Sequence, residues 1–472
     1  MPMGSEFWAL VYLGFEIAAL FCVRAAITRG RTAQGAAAWV VFLFAAPHFA
    51  VPAFAIFGHH RYPGYIRSRR ELREEMAALR TLAGQHAPAP LPPGEDAGRQ
   101  RAFAELAGMP FASGNAVRLL IDGEAAFAEL FAAIDRAQSY VLVQFYTVED
   151  DALGRAFAAR LMARARAGVR VHLLYDAIGS HLPRRALAQM RAAGVEVRDF
   201  HAIRRSRGRL QVNFRNHRKI VVVDGDLAFT GGLNLGDAYV GRDPVLTPWR
   251  DTFVRVEGPA VAQLQFVVAE DWLWSSGQKL ALDWTPTASA GTSDALVLAS
   301  GPADALETAS LYFVHAINSA RERIWIASAY FVPDVDILSA LKAAVLRGVE
   351  VRVLIPDRRD HWLPWLAAFA YVDEVRAAGV EVWRYAEGFM HQKVLLIDTA
   401  IASVGSVNLD NRSCRLNFEA TLLVADPAFA ADVARMLTTD FALAGRATVG
   451  LSRRPWPIQA LAPLARLVAP VL

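Results

Sequence analysis

The strongest constraint on this chain is that it carries one motif twice. His217-Arg-Lys219-Ile-Val-Val-Val-Asp224 is followed by Gly231-Gly232-Leu-Asn234, and His391-Gln-Lys393-Val-Leu-Leu-Ile-Asp398 by Gly405-Ser406-Val-Asn408. Both copies read H-x-K-x4-D-x6-G-[GS]-x-N. The apolar run in each has the composition of a buried strand, so His217 and Lys219, two apart, are expected to share a face, as are His391 and Lys393. Asp224 and Asp398 complete the motif at the strand end before a turn and read as mainly structural. The Gly231-Gly232 and Gly405-Ser406 pairs are expected to let backbone approach an anion, with Asn234 and Asn408 donating amide hydrogens to phosphate oxygens. A single H-x-K on a strand is ordinarily a half-buried histidine beside a lysine. Two copies matched at every fixed position point instead to a pair of imidazoles. Two-step displacement at a phosphodiester needs such a pair, one to attack and one to protonate the leaving oxygen.

The duplication extends beyond the motifs. Arg191-Ala-Ala-Gly194-Val-Glu-Val197 recurs as Arg376-Ala-Ala-Gly379-Val-Glu-Val382, and QFYTVEDD matches SAYFVPDVD. Each half reads strand, helix, strand, helix, strand, then the motif strand, which argues α/β layers arranged as a pseudo-twofold pair. The Gly/Ser/Thr-rich stretch SSGQKLALDWTPTASAGTS divides the halves. The expected boundaries are a membrane hairpin over 1–60, a juxtamembrane segment and Pro/Gly-rich linker over 61–112, domains over 113–280 and 281–450, and an apolar tail over 451–472.

Hydrophobic residues make up 54% of the chain, and the excess sits in the first sixty positions. Residues 7–23 are apolar apart from Glu16, and residues 36–57 apart from His48, lengths near what a bilayer core requires. Arg24, Arg29 and Arg31 occupy the connection, against Arg61, Arg67, Arg69, Arg70 and Arg73 after the second segment. That balance favours a hairpin with both ends in the cytoplasm. Pro47 and Pro52 leave a bent or re-entrant second segment open, and Glu16 and His48 are expected to pair at similar depth. The tail WPIQALAPLARLVAPVL is too short and proline-broken to span; it lies in the membrane interface or closes a core.

Net charge is only +4, so position matters more than total. Between the matched glycines and histidines the first half is eleven residues longer than the second, and from Arg204 through Lys219 there are seven Arg and Lys residues and no acid. This stretch is either a solvated loop or a funnel for anionic headgroups, with Arg205, Arg207 and Arg209 at its centre. Cys22 and Cys414 are too few and too far apart for a disulfide framework or a metal cluster.

These residues resemble the phospholipase D superfamily, in which the repeated element is the catalytic motif. The second copy continues as Asn408-Leu-Asp410-Asn-Arg412-Ser413 and on to Asn417-Phe-Glu419, while the first reaches Trp249-Arg250-Asp251-Thr252. Those extensions are similar to the bacterial cardiolipin synthase branch, over nearly the whole chain. The resemblance implies an α/β fold of two tandem phospholipase D-like α/β/α domains forming a pseudo-twofold pair, preceded by an N-terminal transmembrane helical hairpin in the inner membrane. It implies that the two motif strands meet in one cleft, with no cofactor and no metal.

The activity implied is phosphatidyl transfer between two phosphatidylglycerol molecules through a phosphohistidine, giving cardiolipin and glycerol. His217 is then the nucleophile and His391 the acid. Lys219, Lys393, Asn234 and Asn408 neutralise the non-bridging oxygens. An orienting carboxylate is expected for each histidine from its own half, Glu419 for His391 and the shorter Asp251 for His217. The implied partners are phosphatidylglycerol and anionic membrane lipids rather than nucleic acid. Three rivals stand beside this reading. A hydrolytic phospholipase D would release phosphatidic acid. A nuclease would use the basic stretch, but the apolar N-terminus and a loop with no aromatic beyond Phe214 argue against it. A non-catalytic membrane scaffold would not need every motif residue in both halves.

Overall fold

The computed structural model describes residues 5–30, 32–58, 63–86, 95–201, 213–285, 287 and 289–471. A mixed sheet of 16 strands runs through it, and the duplication is visible in the strand order. Outward from the middle, the first half runs Ala112–Ile121, Thr252–Glu257, Leu227–Gly231, Ile220–Val223, Tyr140–Phe145, Arg170–Tyr175 and Glu196–Asp199. From the same seam the second half runs Ser293–Ser300, Asn417–Ala425, Ile401–Gly405, Val394–Ile397, Arg323–Ala327, Glu350–Pro356 and Glu381–Tyr385, with Ala444–Arg446 at the edge. The two orders match strand for strand. At the antiparallel seam the buried Asn115 donates Nδ2 to the carbonyls of Ala112 (2.6 Å) and Ser293 (3.1 Å), one from each half. A leading strand and helix, Ala112–Ile121 and Asp122–Arg136, precede the units legible in the sequence.

Period-two alternation divides the core into layers. Val221 and Val223 join the cluster formed with Phe127, Leu130 and Phe157, while Ile220 and Val222 face the opposite side. There they meet Val261 and Leu264 of helix Ala260–Ser276 and, from the second half, Leu396 and helix Pro427–Ala442. Each motif strand is antiparallel to both neighbours. Its closing turn puts Asp224 at φ 55° and Asp398 at φ 53°, a region that aspartate tolerates. The Asp224 carboxylate accepts from the backbone N–H groups of Gln138 (2.8 Å), Ser139 (2.7 Å) and Tyr140 (2.9 Å). Asp398 does the same for Arg321 (3.0 Å), Glu322 (2.9 Å) and Arg323 (3.2 Å). Both motif aspartates therefore tie the far end of the motif strand to its neighbour.

At the N-terminus, helix Ser5–Arg29 contains one stretch, Phe7–Thr28, long and apolar enough to cross a membrane. The second expected segment takes the bent alternative: it is two helices, Ala33–Ala45 and Pro47–Phe57. Pro47 has no N–H to continue the first, and the chain turns at Ala46 (φ −149°, ψ 65°). Thirteen residues rise about 20 Å, short of a bilayer core. Ala19, Ala26 and Ala50 let the three helices close around Leu43 and Phe54. The expected Glu16–His48 pair is not formed. His48 lies against the rings of Tyr12 (5.1 Å) and Phe15 (5.9 Å), and Glu16 bonds to Tyr12, which sits one turn away on its own helix.

The Pro/Gly-rich linker at 87–94 and the basic stretch at 202–212, with Arg204, Arg205, Arg207 and Arg209, lie outside the described residues. Helix Glu95–Ala107 follows the linker and docks on the second half, where Arg99 pairs with Asp398 at 3.1 Å. The tail forms helix Trp456–Leu467, which closes against Trp362–Ala377 through Ala462, Ala465 and an Arg466–Glu374 pair at 2.6 Å. Its outer side leaves Trp456 and Leu467 exposed.

Candidate active site

The assigned motif strands start at Ile220 and Val394, so each H-x-K lies just ahead of its strand, at the mouth, rather than within it. What fixes the histidines is a short parallel bridge to the other half. Arg215–Asn216 pairs with Asn417 and Phe418, and the His217 N–H donates to the Phe418 carbonyl at 2.9 Å. Phe389–Met390 pairs with Trp249 and Arg250, and the His391 N–H donates to the Arg250 carbonyl at 2.8 Å. The next residue on each partner strand is a carboxylate. His217 Nδ1 consequently meets Glu419 Oε2 at 2.9 Å and Oε1 at 3.0 Å, and His391 Nδ1 meets Asp251 Oδ2 at 2.9 Å. The pairing is crossed between halves, which corrects the in-half assignment of Glu419 to His391 and Asp251 to His217.

The small residues of the motif serve these carboxylates. Ser406 Oγ donates to Glu419 Oε2 at 2.5 Å, and Asn417 Nδ2 to Oε1 at 3.1 Å. At the matching position a Cβ on Gly232 would overlap the Asp251 carboxylate, whose Oδ1 accepts from the Thr252 N–H at 2.8 Å. The anion that the Gly-Gly and Gly-Ser pairs admit is thus the protein's own carboxylate, not an open phosphate cradle. Asn234 also differs from expectation. Its Oδ1 accepts from the Thr147 N–H (3.2 Å), and its Nδ2 donates to the Tyr239 hydroxyl (3.1 Å), so its hydrogen bonds brace a neighbouring side chain. Asn408 is buried, and its Oδ1 has no hydrogen-bond partner among the described residues.

All four motif cations and imidazoles are buried, and their electrostatics are shared across the halves. Burial lowers His217, against the opposing pull of Glu419. His391 is depressed well below the ordinary imidazole range by burial and by Lys393, with Lys219 and His217 of the other half adding to the effect. Lys219 Nζ donates to the His217 carbonyl at 2.7 Å; Lys393 Nζ lies 2.8 Å from His391 Nδ1. Burial pulls Lys219 down to about 7 and Lys393 to about 8, and pushes Asp251 up to about 6. A phosphate needs charged lysines and the histidines need ionised carboxylates. In the free enzyme, ionisation of Asp251 through about 6 is expected to favour kcat/KM and loss of the lysine protons between about 7 and 8 to lower it, on top of the decline imposed by His391, which sheds its proton well below the ordinary imidazole range. Lys219→Arg keeps its charge at alkaline pH, so its alkaline limb should move upward at reduced amplitude. An unmoved limb would exclude Lys219 as its source.

The family described as "Cardiolipin synthase, PLD-like domain" matches residues 130–265 and 313–441, one match over each motif-bearing half. The chain belongs to this family. "Cardiolipin synthase A" of Pseudomonas fluorescens (strain SBW25) is 45% identical over 460 residues, covering 95% of each chain. "Cardiolipin synthase A" of Pseudomonas aeruginosa (strain LESB58) is 44% identical over 475 residues, covering 99% of this chain and 97% of that one. Among solved structures, the phosphatidylserine synthase of Haemophilus influenzae Rd KW20 superposes with a TM-score of 0.58 at 15% identity. The match covers 79% of this chain and 100% of that one, and is a likeness of fold.

In this cardiolipin synthase family member the residue between each histidine and lysine points to the back of the site. Arg218 is fully buried and pairs with Asp271 at 2.8 Å. Asp271 also accepts from Asn216 Nδ2 (2.9 Å) and Gln144 Nε2 (2.5 Å), and bonds to the Tyr65 hydroxyl. Tyr65 and Arg69 belong to helix Pro63–Glu71, and Arg69 is salt-bridged to Glu270 at 2.7 Å. The segment that follows the apolar helices is thereby pinned behind His217. In the second half Gln392 donates to Asp440 at 2.8 Å, and Arg250 clamps the same carboxylate at 2.7 and 2.9 Å. The sequence reading missed Asp271 and Asp440. Their signal is an aspartate followed by an aromatic (Asp271-Trp272, Asp440-Phe441) in the helix after each carboxylate strand. Removing one partner of a buried ion pair strands the other charge. Asp271→Ala should cost about 3 kcal/mol or more in chemical unfolding; an unchanged midpoint would show that Arg218 is compensated elsewhere.

Proposed function

We propose that the chain moves the phosphatidyl group of one phosphatidylglycerol onto a second, releasing glycerol and forming cardiolipin. The observation that carries this reading is the crossed set of contacts, in which each half supplies the carboxylate that orients the other half's histidine. With both Glu419 oxygens on Nδ1, His217 keeps its proton there and its Nε2 lone pair free to attack phosphorus. The phosphorus–oxygen bond to glycerol breaks, and His391 gives the leaving oxygen a proton. The primary hydroxyl of the second phosphatidylglycerol then attacks. The phosphorus–nitrogen bond breaks, a new phosphorus–oxygen bond forms, and the hydroxyl proton passes to His391. Lys219 and Lys393 neutralise the non-bridging oxygens. Burial and the lysine charges together depress His391, and a phosphate between the lysines offsets the second of these, which favours a proton on that ring in the complex. The covalent intermediate conserves the diester's free energy, so transfer needs no nucleotide.

The lipid substrate reaches the site from a membrane. Helix Phe7–Thr28 is one crossing. The bent leg of Ala33–Ala45 and Pro47–Phe57 completes a hairpin in the inner membrane, and the arginines after it, Arg69 and Arg70 among them, hold both domains on the cytoplasmic face. Purified protein given phosphatidylglycerol labelled in its glycerol headgroup tests the reaction. Cardiolipin and free glycerol in equal amounts are expected. Phosphatidic acid in place of cardiolipin would make the chain a hydrolase and refute transfer.

A further inference from the structure

The halves of the cleft match in their catalytic groups but not in what surrounds them. Beside His217 stands Tyr146, whose ring is 5.0 Å from the imidazole and 5.6 Å from Lys219 Nζ. The Tyr146 hydroxyl is hydrogen-bonded with Arg215, and the Arg412 guanidinium, from the other half, lies close enough for the two arginines to act on each other. Arg412 donates to the Asn213 carbonyl at 2.8 Å and to Asn213 Oδ1 at 3.3 Å. Asn213 is 6% exposed, and its Nδ2 has no hydrogen-bond acceptor among the described residues. A buried donor left in that state costs about 1–3 kcal/mol unless something accepts from it. Two carboxylates lie in the same region and both are committed. Asp176 accepts from the N–H groups of Asn216 (2.9 Å) and Ile178 (2.9 Å) and contacts His201, while Asp410 accepts from the Ser413 N–H at 2.6 Å.

At the pseudo-equivalent positions beside His391 the two arginines are not repeated. Phe389 stands where the first half has Arg215, and Ala238 where the second has Arg412. Tyr330, the counterpart of Tyr146, donates to Asp360, and Trp249 and Phe389 flank the imidazole at 5.2 and 5.9 Å. One flank of the cleft therefore carries Arg215, Arg412 and the Asn213 amide, whereas at the other Tyr330 and the Asp360 carboxylate share a pocket with Arg358, Arg359 and Arg384. The proposed reaction is asymmetric in a way that fits. The histidines and lysines hold the phosphorus being transferred, but the acceptor is itself a phosphodiester, with a second anion one three-carbon bridge from the attacking hydroxyl. That anion needs donors of its own, and the planar fork of arginine suits a phosphate.

We infer that Arg215, Arg412 and Asn213 form a second anion subsite, which binds the phosphate of the acceptor phosphatidylglycerol and orients its hydroxyl toward the phosphohistidine. The inference rests on the function proposed above. It separates two reactions of one enzyme: cardiolipin formation uses the subsite, whereas exchange of free labelled glycerol into phosphatidylglycerol uses only the transfer site and an uncharged acceptor. For Arg412→Ala, and separately for Arg215→Ala, the ratio of cardiolipin formed to glycerol exchanged should fall at least tenfold, with Arg412→Lys recovering part of it. A ratio unchanged in both alanine variants overturns the subsite, whether activity is high or low. Wild-type protein that shows neither reaction would instead defeat the proposed function. Inorganic phosphate added to the wild type should leave the ratio alone; a fall at millimolar phosphate would give the subsite to the free anion and overturn its assignment to the lipid.

Discussion

His217→Ala is expected to lower phosphatidyl transfer by roughly 10⁵-fold or more while leaving the protein folded, because it removes the atom that bonds to phosphorus. The residue is 8% exposed and its ring closes no core, its neighbours being Tyr146, Glu419 and Lys219. The loss should fall on kcat, since the lysines that hold the phosphate remain. It should also extend to glycerol exchange, which passes through the same covalent state. Transfer within tenfold of wild type, measured on vesicles of phosphatidylglycerol, would mean that the intermediate forms elsewhere or not at all.

The second large effect separates the crossed geometry from an in-half one. Glu419→Gln presents an amide to His217 Nδ1 and favours the tautomer with its proton on Nε2, which cannot attack. The expected loss is about 10³-fold or more, the scale on which an orienting carboxylate acts. Asp251→Asn should impair His391 instead. An acid is dispensable when the leaving group departs unaided, so a phosphatidyl ester of p-nitrophenol distinguishes the two lesions. In the first displacement, read as a burst of p-nitrophenol before the hydroxyl attack that still uses His391 as base, His391→Ala and Asp251→Asn should recover much of their rate, whereas His217→Ala and Glu419→Gln should not. Recovery by Glu419→Gln together with failure by Asp251→Asn would restore the in-half pairing.

The sequence made the doubled α/β architecture legible because period and spacing are local properties. KIVVVDG and KVLLID announce buried strands, and equal spacing announces equal roles. The pairing of His217 with Glu419 was not legible. It depends on two-residue bridges between segments some two hundred positions apart, Arg215–Asn216 with Asn417 and Phe418, and spacing along a chain does not report which half a strand leans on. The Gly232 and Ser406 positions were misread for the same reason, since the anion they accommodate comes from a partner strand. Pro47 was visible as a point of bending, but the resulting pair of short helices follows from its missing N–H rather than from hydropathy. In the sequence, Arg69 reads only as one of the arginines after the second apolar segment, and Tyr65 is not singled out; only the fold puts the Asp271 carboxylate within reach of Tyr65 and Glu270 within reach of Arg69.

The most direct test is to capture the covalent intermediate. Wild-type protein would be mixed with phosphatidylglycerol labelled at its phosphate, quenched in alkali within milliseconds, digested and mapped. The account predicts an acid-labile, base-stable label on the peptide carrying His217, formed before cardiolipin and lost as cardiolipin appears. Cardiolipin accumulating with no label on either His217 or His391 would contradict it.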